Sequence, residues 1–256
     1  VNVERLAAAL RDTERIRGWD WSRTNTRMGD FGWVYTDVLR EHIRDTERVL
    51  DVGTGGGEVF SAVARPHDVA LDFDREKLAV ARERLPCPLV EGDQHALPFR
   101  PGCFDVVADR HVGVEPAQAM SVLRPGGYYV TQQPGAHICQ NIFDAFGWGT
   151  NGDFWRREYE AEGLVYRDVT AQAQVFADHG CTIVRRATAD VEYEFLDEES
   201  LAFWLLSAPL PEVADPDVHA HVLPHIPLKT NWHSELLVVR TPAADRAGAA
   251  RSAGAS

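Results

Sequence analysis

The stretch Asp51-Val52-Gly53-Thr54-Gly55-Gly56-Gly57 joins a short apolar segment to what the sequence presents as a helix. Glycines there let the backbone turn sharply and let a ligand approach without a Cβ in the way. A helix opening behind them would offer free N–H groups and a positive dipole end to a carboxylate or phosphate. Asp72 follows 19 residues beyond Gly53, at the end of a second apolar segment, where an acid can accept hydrogen bonds from ribose hydroxyls. Asp93 stands in Glu91-Gly92-Asp93-Gln94-His95-Ala96-Leu97-Pro98-Phe99, after a third segment, and can accept from an exocyclic amine of adenine. The glycines are not those of a nucleoside triphosphate loop, because no Lys and Ser/Thr pair follows them. A dinucleotide fingerprint begins with Gly53 and Gly55 but meets Glu58 where its third glycine belongs.

A second set of side chains could act on a substrate. Asp109-Arg110-His111 follows a fourth apolar segment, and an imidazole is the natural base near neutral pH. Arg110 can meet an acidic group or pair with Asp109 or Glu115, and His111 can equally be a loop histidine. His137 follows a fifth segment, in Gln132-Gln133-Pro134-Gly135-Ala136-His137. Trp148, Trp155 and Tyr159 can wall an apolar substrate or pack in a core. His219, His221 and His225 lie in a proline-rich stretch with no acidic partner set, and no metal is expected.

These residues need a frame that brings strand ends together. Apolar strands are expected at 48–52, 69–72, 88–90, 104–108 and 128–132, with helices at 57–64, 75–84 and 115–123 between them. Such alternation predicts an α/β domain with a mostly parallel, doubly wound sheet and right-handed crossovers. The Pro125-Gly126-Gly127 triplet predicts a turn before the fifth strand. Helices at 3–17 and 33–45 precede the first strand, and 134–165 reads as an irregular insertion; both are expected to cover the substrate. A helix at 170–179, a strand at 182–195, a helix at 197–207, a surface segment at 209–231 and a strand at 236–239 complete the domain. The domain is placed at 1–242, with 243–256 as a disordered tail.

The chain of 256 residues carries a net charge of -13 and no dense Lys/Arg block, which disfavours a nucleic-acid surface. No apolar run reaches the length of a membrane span, and no secretory leader opens the chain, so a cytoplasmic location is expected. Cys87, Cys103, Cys139 and Cys181 have no short metal or redox spacing and read as isolated thiols.

From about residue 48 to 133 the chain resembles the class I S-adenosylmethionine-dependent methyltransferases, particularly the small-molecule members of the ubiquinone/menaquinone and sterol methyltransferase type. Val49 to Gly57 looks like the cofactor loop, Asp72 the ribose acid, and Gly92-Asp93 through Phe99 the adenine-side motif. Phe104 to Val107 and Val122 to Gly127 match the fourth strand and the turn before the fifth. The resemblance implies a seven-stranded Rossmann-like sheet with its last strand antiparallel, and S-adenosyl-L-methionine as cofactor. It implies a cofactor set of Asp51, Gly53, Thr54, Gly55, Asp72, Phe73, Asp93, Gln94 and Asp109. His111, with His137 behind it, is the candidate for the acceptor side. The expected reaction is methyl transfer to oxygen, nitrogen or carbon of a small molecule, by a protein for which a homo-oligomer is open. An enzyme that keeps the cofactor without methylating is the alternative, as is a methyltransferase acting on nucleic acid or protein. Asp109-Arg110-His111 departs from the small or aromatic residues that many relatives carry after the fourth strand.

Overall fold

A computed structural model describes residue 8 and residues 21–45, 47–163, 168–207 and 225–244. The helix expected at 3–17, His219, His221 and most of the tail lie outside the described residues.

Eight strands form one sheet. They are β1 (Thr26–Met28), β2 (Val49–Val52), β3 (Val69–Asp72), β4 (Leu89–Glu91), β5 (Phe104–Arg110), β6 (Leu123–Pro134), β7 (Thr182–Phe195) and β8 (Leu228–Arg240), in the order β1-β7-β8-β6-β5-β2-β3-β4. Strands β2 to β6 run parallel, while β8 is antiparallel to both β6 and β7. The expected doubly wound, mostly parallel sheet is therefore present. It has one more strand than expected, because β1 pairs antiparallel with β7 at the far edge. Three residues give too little periodicity to be seen in sequence.

The strands that carry the glycine loop and Asp72 are buried along their whole length, as a sheet covered on both faces requires. Leu50, Val52, Val107 and Tyr129 pack on one face with Phe176 of α6 (Val169–Asp178). Val49, Val106, Ala108 and Val130 pack on the other with Tyr35, Val38 and Leu39 of α1 (Tyr35–Arg40).

The helix expected at 57–64 is reduced to a single 3-10 turn at Phe60–Ala62. Gly53, Gly55 and Gly57 all hold left-handed φ values, of 71°, 56° and 78°, so the helix cannot begin before Glu58. Pro66 then leaves too few residues for a stable run. The helix expected at 33–45 is likewise confined to α1. Helices α2 (Arg75–Ala81) and α3 (Pro116–Val122) stand where expected. Pro125-Gly126-Gly127 does not end a loop; it lies within β6, where the β5–β6 register shifts between Phe104 and Val106 and Gly126 takes φ 79°.

The insertion is helical rather than irregular, with α4 (Gln140–Phe146) and α5 (Asn151–Ala161). Thr150 caps α5 by accepting from Asp153 N–H. Strand β8 starts at Leu228, inside the stretch expected to wrap over the surface. Its first half runs beyond β6 and pairs only with β7. That overhang, the end of β7, α4, α5 and α7 (Glu198–Ser207) enclose an aromatic cluster that includes Phe143, Trp148, Phe154, Phe195, Trp204 and Trp232. Trp148, a candidate for the substrate wall, belongs to this core, stacked 4.4 Å from Phe146.

Candidate functional site

The carboxyl ends of β2, β3, β4 and β5 bring the acidic ladder to one edge, where open α/β sheets bind ligands. Gly53 and Thr54 both donate backbone N–H groups to Leu71 O, at 2.8 and 3.0 Å, which fastens the glycine loop to β3. A Cβ on Gly53 would come within 2.0 Å of Val112 Cγ2, so this position accepts only glycine while the loop after β5 lies over it.

Asp72 is buried and works in two directions. Its Oδ2 accepts from Gly55 N–H at 2.7 Å and its Oδ1 from Asp74 N–H at 2.9 Å. The acid expected to meet ribose therefore also holds the glycine loop. Phe73, the next residue, is 71 % exposed, an unusual state for a large apolar side chain. Lys77 Nζ lies 5.9 Å from its ring centroid. Asp93 is exposed and its Oδ1 accepts from His95 N–H at 2.8 Å. Gln94 reaches toward the loop after β5, with Nε2 3.5 Å from Val112 O.

Asp51 is buried, and burial raises its carboxyl to about 7, with the Thr54 hydroxyl opposing the shift and the Asp109 and Asp72 charges adding to it. A carboxyl poised at this value is a group for which ligand charge decides the protonation state.

Asp109 is bonded to the loop that follows it. It is fully buried and its carboxylate accepts from Val112, Gly113 and Val114 N–H at 3.2, 3.2 and 2.8 Å, and from Tyr129 Oη–H at 2.7 Å. It braces the loop after β5. Burial still raises its carboxyl above the usual range, against the pull of those hydrogen bonds. Tyr129 was not foreseen; the signal was its place on β6, one residue before Val130 and thus on the opposite face.

His111 follows Arg110, the last residue of β5, and takes a left-handed φ of 65°. Its N–H donates to Gln132 O at 3.0 Å. The ring is open to a cavity of about 110 Å³ whose walls include Glu115, Gln133, Asn151, Trp155, Tyr159, Asp168 and Gln172. The residue is exposed, and partial desolvation by the neighbouring protein, and then the Arg110 charge, lower the imidazole from its ordinary value, so it is neutral near pH 7. Trp155 and Tyr159, which the sequence left open between a substrate wall and core packing, line this cavity. Tyr159 also meets the His95 ring edge-on, with centroids 6.1 Å apart, so α5 covers both the loop after β4 and the loop after β5.

His137 is not brought to this cavity. It is exposed, stacks 6.0 Å from His233 and has Nδ1 3.2 Å from Gln140 Oε1. Its pairing follows from β6 and β8 running antiparallel past Pro134 and Ser234. A larger groove of about 340 Å³ lies between α2 and β4, but two of its three charged residues, Arg75 and Glu91, pair with each other at 2.8 Å and it holds none of the ladder. Among the described residues no cluster of His, Cys, Asp or Glu is arranged to hold a metal ion, and no helix is long and apolar enough to cross a membrane.

Comparison with known proteins agrees with this geometry. Residues 49–127 match the family model described as a methyltransferase domain. No curated protein matches the chain. A candidate methyltransferase from Bacillus halodurans C-125 superimposes with TM-score 0.56 at 18 % identity, over 82 % of this chain and 99 % of that one. A functionally unknown protein from Deinococcus radiodurans R1 gives 0.57 at 18 %, over 93 % and 98 %. The [4+2]-cyclase SpnF gives 0.51 at 16 %, over 81 % and 80 %. The ubiquinone/menaquinone and sterol subgroup is not singled out by these matches. With its strand order, its single antiparallel strand beside β6 and the matched segment that spans the ladder, the chain has a Rossmann-like methyltransferase fold, and its residues 49–127 are similar to a methyltransferase domain.

Proposed function

We propose that the protein binds S-adenosyl-L-methionine along the carboxyl edge of β2 to β5 and methylates a small molecule held in the cavity beside His111. One observation carries the reading: Asp51, Gly53, Asp72, Phe73 and Asp93 occupy three successive strand ends in the order a nucleoside with an amino-acid arm requires, and Phe73 is left exposed between the two acids. The chemistry of the donor set fits. Asp72 and Asp93 accept hydrogen bonds, as ribose hydroxyls and an exocyclic amine demand, and Phe73 offers a face for a base. When bound, the cofactor supplies a methyl group activated by a sulfonium.

The residues of the chain supply position and desolvation. Asp109 and Tyr129 fix the loop that carries His111, and α5 closes over the cavity, conditions that favour an in-line approach of the acceptor. A neutral His111 can accept the proton of a hydroxyl acceptor as the new bond forms. The fold likeness to a [4+2]-cyclase supports a second reading, in which the cofactor is kept and no methyl is moved. Release of S-adenosylhomocysteine during turnover separates the two.

Titration calorimetry tests the binding reading directly. S-adenosylhomocysteine should bind and NAD should not, since Glu58 occupies the third glycine position of a dinucleotide loop and is paired with Arg84 at 2.7 Å. Tight NAD binding without a response to S-adenosylhomocysteine would reverse the assignment.

A further inference from the structure

The cavity beside His111 is uneven in charge. Two of its wall residues are acids, Glu115 at the start of α3 and Asp168 at the start of α6, and among the described residues no lysine or arginine lines it. His111 is neutral near pH 7 and does not balance them. The two helix starts offset only part of this charge, about half a unit each, so the sum stays negative. Asp168 commits Oδ1 to Ala171 N–H at 2.8 Å as the cap of α6. Glu115 holds the same place before α3 without a side-chain cap bond. A third acid stands behind the wall: Glu235 of β8 is opposite Gln133 of β6. Burial first, and then the Asp168 charge, raise its carboxyl, against the pull of Arg186.

Trp155 and Tyr159 line the same space. Their rings stand nearly perpendicular, at 88°, with centroids 6.5 Å apart. Trp155 Nε1–H donates to Asn151 Oδ1 at 3.1 Å, and Asn151 is itself buried, so this ring is held in place. Burial, and then the Asp109, Glu115 and Glu162 charges, raise the Tyr159 phenol, so the field of the acids reaches the aromatic side of the cavity. An aromatic face attracts a cation, more strongly where water is displaced. A carboxylate or phosphate entering this space would give up hydration and meet charges of its own sign. An alcohol would gain from the rings alone. An ammonium gains from the rings and from the acids.

We infer that the cavity takes a protonated amine: the substrate is a small cationic molecule whose ammonium is held by Glu115 and Asp168 beside Trp155 and Tyr159. The inference rests on the function proposed above and names its substrate class. While the amine is protonated it has no lone pair for a methyl group, so it anchors the substrate and a different atom is the acceptor.

Calorimetry on the full chain, saturated with S-adenosylhomocysteine, tests this with probes matched in shape and different in charge. One trio is phenethylamine, phenethyl alcohol and hydrocinnamate; tryptamine, tryptophol and indole propionate form a second. The amine of a trio should bind roughly tenfold tighter than its alcohol, the scale of a hydrogen bond to a charged group, and the acid should bind weakest. Added salt should weaken the amine and leave the alcohol unchanged. E115Q and D168N should each weaken the amine roughly 3–10-fold, between an exposed ion pair and a charged hydrogen bond, with the alcohol unchanged. Asparagine still caps a helix, and unchanged S-adenosylhomocysteine affinity reports that each variant is folded. Acids or alcohols that bind as tightly as the amines overturn the inference, and so does an amine affinity indifferent to salt and to both substitutions. Binding of no amine to the S-adenosylhomocysteine complex overturns it as well. Failure of the wild-type chain to bind S-adenosylhomocysteine rejects the cofactor reading instead, and the same trios on the free chain then judge the cavity.

Discussion

At the scale of single residues, the acids along the ligand edge do different work despite their common type. Asp93 is exposed and caps a turn, Asp72 is shared between the glycine loop and the ligand edge, Asp109 is consumed by a loop, and Asp51 is buried with its carboxyl at about 7. The last state has a consequence for stability. A carboxyl raised from 3.8 to about 7 binds a proton in the folded chain that the unfolded chain has already released. Stability therefore falls as pH rises from about 4 to about 7, and the loss from this group is at most about 4 kcal/mol. Asp51→Asn removes the effect. Its melting temperature relative to wild type should climb between about pH 4 and pH 8, while its affinity for S-adenosylhomocysteine falls; a difference that does not vary with pH would refute the raised carboxyl. His111 yields a separate prediction. With a hydroxyl acceptor, His111→Gln should lower turnover about 10²–10⁴-fold with S-adenosylhomocysteine affinity unchanged. Full turnover in that variant from about pH 6 to 9 would leave His111 a positioning role only.

At the scale of elements, the site depends on pieces far apart in sequence. The loop after β5 lies on Gly53 through Val112, is tied to Gln94, and is braced from below by Tyr129 of β6. Helix α5 covers it through Tyr159 and Trp155, and is anchored where Asn151 Nδ2–H donates to Gly135 O at 3.2 Å. These contacts make α5 and the loop at 111–114 one unit that a ligand can tighten. In hydrogen exchange, S-adenosylhomocysteine should slow the backbone amides of α5 and of residues 111–114 more than those of α6, whose face is already buried in the core. Equal protection of α5 with and without the ligand would make it a plain structural layer.

At the scale of the whole molecule, the parallel strands and the glycine loop and acids that follow them were legible because each signal is local. Val49 to Val52, Val69 to Asp72 and Phe104 to Ala108 are continuous apolar runs, as strands buried on both faces must be. The glycines and acids follow them at fixed offsets. Features that depend on partners were not legible. Nothing local distinguishes Asp109 as a buried brace from a ligand-binding acid, since the difference lies in three backbone N–H groups and Tyr129, 20 residues away. His137 and His111 both follow strands, yet β8 draws one against His233 while the left-handed turn directs the other to the cavity. The glycine loop's helix shrank to one turn because three left-handed glycines and Pro66 outweigh the apolar spacing between them. The sequence by itself determined the parallel sheet and the ladder of acids, because backbone sterics and burial on both faces act within a few residues. Only the tertiary structure decided which acids are exposed and which are held by the loops around them, because burial and hydrogen-bond partners are properties of strands brought together by the fold.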